Sequence, residues 1–204
     1  MQVFEYSDAE MDYLKSKDET LGNAILKIGH IKRAVTPDLF TALISSIVSQ
    51  QISSKAYHTV WGRITDSIEQ ITPQRIADMH AEEIQKFGIS MRKAEYIKNA
   101  AISVLNGEID ISSLYELSDD EICAQLSKFK GIGVWTAEML MIFSLQRKNI
   151  LSYDDLAIIR GMKMLYGYDN VSKEKFREHK IIYSPYASVA SLYLWAIAGG
   201  ADYK

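Results

Sequence analysis

The sequence predicts an all-α protein. Apolar residues recur at three- and four-residue spacing along most of the chain. Segment after segment opens on a helix-start signal, a Ser, Thr or Asp followed by a proline or an acidic residue. β-branched residues occur without the sustained alternation that a half-buried strand needs. Pattern counting gives about ten to twelve helices. The 204 residues, 48% apolar with charges of both signs, suffice for one sizeable domain or two small lobes. No apolar run reaches the length of ~18 residues that a membrane span requires, and the acidic start MQVFEYSDAEMDYLK lacks an apolar signal core. One cysteine, Cys123, excludes an intramolecular disulfide framework, and its helical position predicts a buried, inert thiol.

Taken in order, residues 1–19 predict a first short helix anchored by Met11, Tyr13 and Leu14. Leu21 to Ile31 continues helical and is expected to bury Leu21, Ile25, Leu26 and Ile28. Thr36-Pro37-Asp38 reads as a helix start, with Thr36 as cap and Pro37 first in the helix. The segment Leu39–Val48, apolar nearly all round, predicts a central buried helix. A helix from Ser54 to about Ile68 follows, then short ones from Thr72-Pro73 and from Ala81 to Phe87, closed by Gly88. Ser90 opens a longer helix to Leu105, and Asn106-Gly107 turns the chain. Gly161 to Tyr166 completes a helix begun near Asp155, ended by Gly167. A polar helix from Ser172 to His179 precedes a last one from Pro185, closed by Gly199-Gly200.

Three stretches stand out. Ser118-Asp119-Asp120-Glu121 is a capping-box pattern, and Ile122, Gln125, Leu126 and Phe129 continue it at helical spacing. Gly131-Ile132-Gly133 follows, then a second apolar helix from about Val134. Helix, Gly-x-Gly turn, helix is the helix-hairpin-helix pattern, whose turn amides and second N-terminus suit a phosphate. Taken alone it is equally a tight connection between two helices. At Ser49-Gln50-Gln51-Ile52-Ser53, polar residues interrupt two apolar helices, as a cap-and-turn or as an exposed functional loop. Twenty residues after Trp135 stands Asp155, in Leu151-Ser152-Tyr153-Asp154-Asp155-Leu156-Ala157-Ile158-Ile159-Arg160. On spacing alone an Asp-Asp pair there caps a helix as readily as it does chemistry.

In combination, Leu126 and Phe129-Lys130-Gly131-Ile132-Gly133-Val134-Trp135-Thr136-Ala137, then Asp154-Asp155-Leu156-Ala157-Ile158-Ile159-Arg160, with Ile47-Val48-Ser49-Gln50-Gln51-Ile52-Ser53 upstream, resemble the helix-hairpin-helix (HhH-GPD) DNA glycosylase superfamily. The closest likeness within it is to DNA-3-methyladenine glycosylase II, over roughly Thr36 to Gly199. The residues before Thr36 are too few for the β-rich N-terminal domain of the larger bacterial enzyme. Ser152-Tyr153 stand where many relatives have a proline before the aspartate.

The resemblance implies two helical lobes, one from about 1–35 plus 150–204, the other about 36–149 with the hairpin at 118–145, and an active-site cleft between them. It implies a monofunctional glycosylase that flips an alkylated purine of the 3-methyladenine type out of DNA and hydrolyses its N-glycosidic bond in base excision repair. Asp155 is then the catalytic carboxylate, facing oxocarbenium character at the sugar, with Asp154 the cap of the helix. Trp135 and Trp195 match aromatic positions of the base pocket, suited to cationic alkylated bases. Bifunctional relatives carry a lysine at position 135 whose amine forms a Schiff base; tryptophan cannot, so no strand nicking is expected. Lys130, Gly131, Gly133 and Thr136 match the DNA-binding hairpin, and the minor-groove wedge falls within Gln50, Gln51, Ile52 and Ser53. Carbonyls of Ser127, Phe129 and Ile132 match a monovalent cation site (Na+ or K+) that does no chemistry; no catalytic cofactor is expected. A lone cysteine excludes the four-cysteine iron–sulfur cluster of some relatives, and the four dispersed histidines offer no zinc spacing.

The expected partner is double-stranded DNA with damaged bases, bound by a monomer in the cytoplasm, at the nucleoid in a prokaryote. The net charge of −3 argues mildly against nonspecific nucleic-acid binding, yet a few phosphate contacts need only a local basic face. Lys128, Lys130, Arg147 and Lys148 around the hairpin, and Arg92, Lys93 and Lys98, are the two candidate groups. Tyr96 and Tyr193 are further aromatic candidates. Two rivals stand beside this reading: the same fold acting on uracil, oxidised or mismatched bases, and a non-catalytic DNA-binding module, which has no use for Asp155.

Overall fold

Residues 2–203 are described in a computed structural model of the chain. Among them are twelve α-helices, a 3-10 helix at Ser112–Glu116 and no strand beyond one isolated antiparallel bridge, Val3 to Ala34. The all-α expectation holds. The chain divides into two compact units, one of Met1–Val35 with Met141–Lys204, the other of Thr36–Leu140.

The first unit begins with α1 (Asp8–Lys17), opened by a capping box in which Ser7 and Glu10 satisfy each other's end of the first turn. Asp18 closes α1 and caps α2 (Glu19–Ile28), which ends at Gly29 with φ 74°, earlier than the sequence pattern suggests. Leu26, expected inside, is 68% exposed: it lies on the outer face, while Leu21 and Ile25 point into the core. After the second unit the chain returns as α10 (Leu156–Tyr166), α11 (Lys173–Tyr183) and α12 (Ala187–Ala198). α11 runs past His179 because Phe176, His179 and Tyr183 share its buried face. α12 is apolar nearly all round and forms the centre of this unit. It packs on α10 so closely that a Cβ at Gly161 would run into the Leu194 carbonyl. A polar knot stands beside this core. Tyr166 donates to Asp18 at 2.7 Å and meets the Tyr183 hydroxyl at 2.5 Å, and Tyr168 meets His179 Nε2 at 3.1 Å.

The second unit is built on α3 (Leu39–Ser49), α4 (Ser54–Ser67), α5 (Pro73–Asp78), α6 (Ala81–Gln85), α7 (Met91–Leu105) and α8 (Asp119–Leu126). Asp38, not Thr36, caps α3, accepting from Thr41 N at 2.7 Å; Pro37 therefore lies before the helix, not in its first turn. Thr72, Ser90 and Ser118 cap as the sequence indicates. α5, α6 and α3 pack on α7 through Ala94, Ile97 and Ala101, small and branched residues that allow close approach. α9 (Val134–Phe143) begins in this unit and continues into the other. Cys123 is half-buried, not fully inside. No helix of the described residues is long and apolar enough to cross a membrane.

Candidate active site

The hairpin follows directly from α8. Its last turn tightens through Lys128 N to Gln125 O at 3.1 Å and Phe129 N to Leu126 O at 3.2 Å, and Ile132 N closes on Phe129 O at 3.0 Å. Phe129 and Ile132 plug into the core, 3% and 4% exposed, and so fix the turn. Gly131 takes φ 88°, and a Cβ there would stand 2.5 Å from the Tyr96 ring of α7. Only glycine meets both conditions. Gly133 accepts from Ala137 N at 2.9 Å and so opens α9, whose first-turn amides and positive dipole end belong to the hairpin.

Lys130 is exposed beside Gly131, whereas Thr136 is 8% exposed. As the third residue of α9, Thr136 contributes its main-chain amide to the hairpin end of that helix. The carbonyls of Ser127, Phe129 and Ile132 lie in the turn, and the Ser127 hydroxyl there is buried without a hydrogen-bond partner. The orphaned Ser127 hydroxyl suits a hard monovalent cation, while the Phe129 carbonyl already accepts from Ile132 N at 3.0 Å. Among the described residues no cluster of His, Cys, Asp or Glu forms a metal site.

Trp135 is 45% exposed, an unusual state for a tryptophan. It lines a cavity of about 540 Å³ with Thr136, Met139, Ser46, Ser49, Gln50 and Gln51. The loop after α3 and the first turns of α9 therefore meet in one place, which their separation in sequence does not suggest. Gln50 fastens the two, its Nε2 donating to Gly131 O at 2.8 Å. Met139 is missed by motif reading, although four residues after Trp135 it shares that face of α9.

The four wedge candidates separate by what their side chains do. Gln50 is tied to Gly131, and Ser53 caps α4, accepting from Ala56 N at 3.2 Å. Gln51 and Ile52 are exposed, and Gln51 takes φ 56°, a left-handed conformation that few non-glycine residues hold.

Asp155, not Asp154, caps α10. Its Oδ1 accepts from Ala157 N and Ile158 N, both at 2.9 Å, and the residue is 7% exposed. Asp154 is exposed. The reason lies in the entry to the helix. Tyr153 and Asp154 form a turn, the first helical residue is Leu156, and the cap position falls one residue later than the motif alone implies. The segment leading in is stitched to α12. Ser188 accepts from Ile150 N at 2.9 Å and donates to Arg147 O at 2.6 Å; Ser191 donates to Ile150 O at 3.0 Å. Both serines are fully buried, and their polar character on an apolar helix is the one signal that marks them in sequence.

Trp195 on α12 is half-buried, its ring 5.4 Å from that of Phe143. Tyr193 is a core residue, 0% exposed, donating to Gly29 O at 3.0 Å, and is no pocket aromatic. The basic groups also resolve. Lys148 donates to Glu5 O and lies 3.4 Å from Glu10. Lys98 donates to Ala77 O and Met79 O, and Lys93 to Val48 O and Gln50 O. Arg92 alone of that group is exposed.

Residues 44–182 match the profile described as HhH-GPD superfamily base excision DNA repair protein. DNA-3-methyladenine glycosylase 1 of Schizosaccharomyces pombe is 35% identical over 169 residues, 80% of this chain and 74% of the relative. A crystal structure of DNA-3-methyladenine glycosidase from Bacillus halodurans matches with a TM-score of 0.89 and 34% identity, covering 98% of this chain and 94% of that one. The S. pombe 3-methyladenine DNA glycosylase in complex with abasic DNA matches with a TM-score of 0.81 and 31% identity, covering 96% and 99%.

Proposed function

The chain belongs to the HhH-GPD superfamily of base excision DNA repair proteins, and on that premise we propose that it is a monofunctional DNA glycosylase releasing alkylated purines of the 3-methyladenine type from double-stranded DNA. The observation that carries this reading is Trp135. It occupies the hairpin position where a lyase needs lysine, and its half-exposed ring borders a cavity large enough for a purine. A ring with an electron-rich face attracts a base made cationic by alkylation, and such a base is already a good leaving group. Relatives named for 3-methyladenine support the same base class.

The chemistry assigned to this chain is short. Water adds its oxygen to the anomeric carbon as the bond to the base nitrogen breaks. The bonding pair leaves with the base, which neutralises its charge, and the water proton passes to the Asp155 carboxylate or to solvent. Asp155 opposes the positive charge that develops on the sugar and orients the water. Its position at an N-terminus, fixed by two amides, means it needs little reorganisation during the reaction. Trp195 is assigned, by the resemblance alone, to recognition of the base. Gly131, Gly133, Lys130 and the Thr136 main chain are assigned to the phosphate backbone, where Na+ or K+ on the Ser127, Phe129 and Ile132 carbonyls would add positive charge. Gln51, with Ile52 beside it, fills the gap left by the extruded nucleotide.

The test is base release from methylated duplex DNA, with the freed base identified by mass and the strand then examined for nicks. Release of 3-methyladenine, with breaks only after alkali, is expected. Breaks without alkali refute the monofunctional assignment, and release only of uracil or an oxidised base refutes the alkylated-purine one.

A further inference from the structure

The loop joining α3 and α4 is held against its own preference. Gln51 at φ 56° carries a strain of about 1 kcal/mol or more. The carbonyls at the end of a helix lack donors within it. Here the Lys93 ammonium of α7 supplies them, donating to Val48 O at 2.8 Å and to Gln50 O. A cation at a helix C-terminus is favoured by the macrodipole. The two carbonyls bracket Ser49 and end one residue before Gln51. One turn further along α7, on the same face, the Tyr96 ring backs Gly131 of the hairpin. Gln50 completes the circuit by donating to Gly131 O. One face of one helix thus holds both loops that the glycosylase reading places against DNA.

We propose that Lys93 is a positioning residue for base extrusion: by clamping the Val48 and Gln50 carbonyls it holds Gln51 in the left-handed conformation from which its side chain enters the duplex. The inference rests on the glycosylase reading. Lys93 touches no substrate. Its ammonium is committed to two carbonyls and is half-buried, so it is not one of the phosphate-facing cations, a role left to the exposed Arg92.

The experiment compares native protein, Lys93→Met and Lys93→Arg in single-turnover release of 7-methylguanine from two substrates. In one the lesion is paired; in the other it sits in a single-nucleotide bulge, where extrusion costs little. A 2-aminopurine beside the lesion reports unstacking. Lys93→Met is expected to slow release from the paired lesion about 10- to 100-fold, the worth of one or two charge-assisted hydrogen bonds. It should leave the bulged lesion within a few-fold of native and reduce the 2-aminopurine signal. Lys93→Arg, which keeps the donors, restores much of the paired rate. If Lys93→Met is unfolded, Lys93→Gln, with one short donor group, replaces it. Equal slowing on both substrates, or native rates on both, overturns the clamp while leaving the glycosylase reading intact. No release by native protein from either substrate overturns both.

Discussion

Asp155 has two assignments that one substitution series can separate. As a cap it satisfies two amides of α10, and as a carboxylate it carries the proposed chemistry. Asparagine keeps the acceptor oxygen and removes the charge; alanine removes both. Loss of a cap costs about 0.5–2 kcal/mol, and Asn caps about as well as Asp. The charge–dipole contribution that Asn forfeits is about 0.3–1 kcal/mol. For a chain of this size 1 kcal/mol corresponds to about 2–4 °C in Tm. Asp155→Asn should therefore melt within about 4 °C of native, and Asp155→Ala a further few degrees lower. Loss of a fixed charge facing the transition state costs about 100- to 1000-fold in rate. Both variants should show that loss in single-turnover release of alkylated base from duplex DNA. DNA binding, followed by fluorescence anisotropy, should persist in Asp155→Asn. Two results refute the reasoning. If Asp155→Asn releases base within a few-fold of native, the carboxylate does not act in catalysis and Asp155 is a cap only. If Asn and Ala destabilise equally, the two amide bonds are not what holds the entry to α10.

Three further outcomes follow from the same geometry. Gly161→Ala should cost about 2 kcal/mol or more, because the new Cβ meets the Leu194 carbonyl, a backbone atom that cannot swing aside; denaturant unfolding reads it, and an unchanged midpoint would mean that α10 and α12 separate easily. Burial works against the ionised Glu10 carboxylate, but the hydroxyl and amide of Ser7, with Lys148 nearby, hold its pKa down to about 2. The folded-state pKa is the depressed one, so the stabilisation is complete above about pH 4.5 and is lost as pH falls through about 2. Glu10→Gln should thus melt lower than native at pH 7 by about 1 kcal/mol, with the gap closing toward pH 2. Trp135→Ala should lose about 10-fold or more in release of a cationic alkylated purine while changing a neutral base such as hypoxanthine less, since only the cation gains from the ring face; equal losses would make Trp135 a shape element and not a charge filter.

How much of this was legible in sequence depended on how local each cause is. Ser90, Thr72 and the Ser118–Glu121 box are caps whose partners lie three residues away, and the pattern alone locates them. Leu26 failed because a helix pattern marks an apolar stripe but not its edge, which is set by what packs opposite. The end of α11 failed likewise, since Tyr183 belongs to the helix for the sake of Tyr166 and Asp18, both distant in sequence. At the site the same division holds. Gly131 is readable as a turn glycine, yet its need for glycine is doubled by Tyr96, 35 residues earlier. Lys93 and Lys98 read as surface charge because nothing near them in sequence shows that each one faces the open end of another helix. Nothing near Ser188 and Ser191 in sequence shows that their hydroxyls hold the main chain of Ile150, five residues before Asp155. Asp155 is the instructive case. The choice between cap and catalyst looks exclusive in sequence, and the fold removes the conflict. A carboxylate that caps a helix is fixed and nearly buried, which is the condition an electrostatic catalyst needs; Asp154, free of that duty, is exposed to solvent and poorly placed to serve.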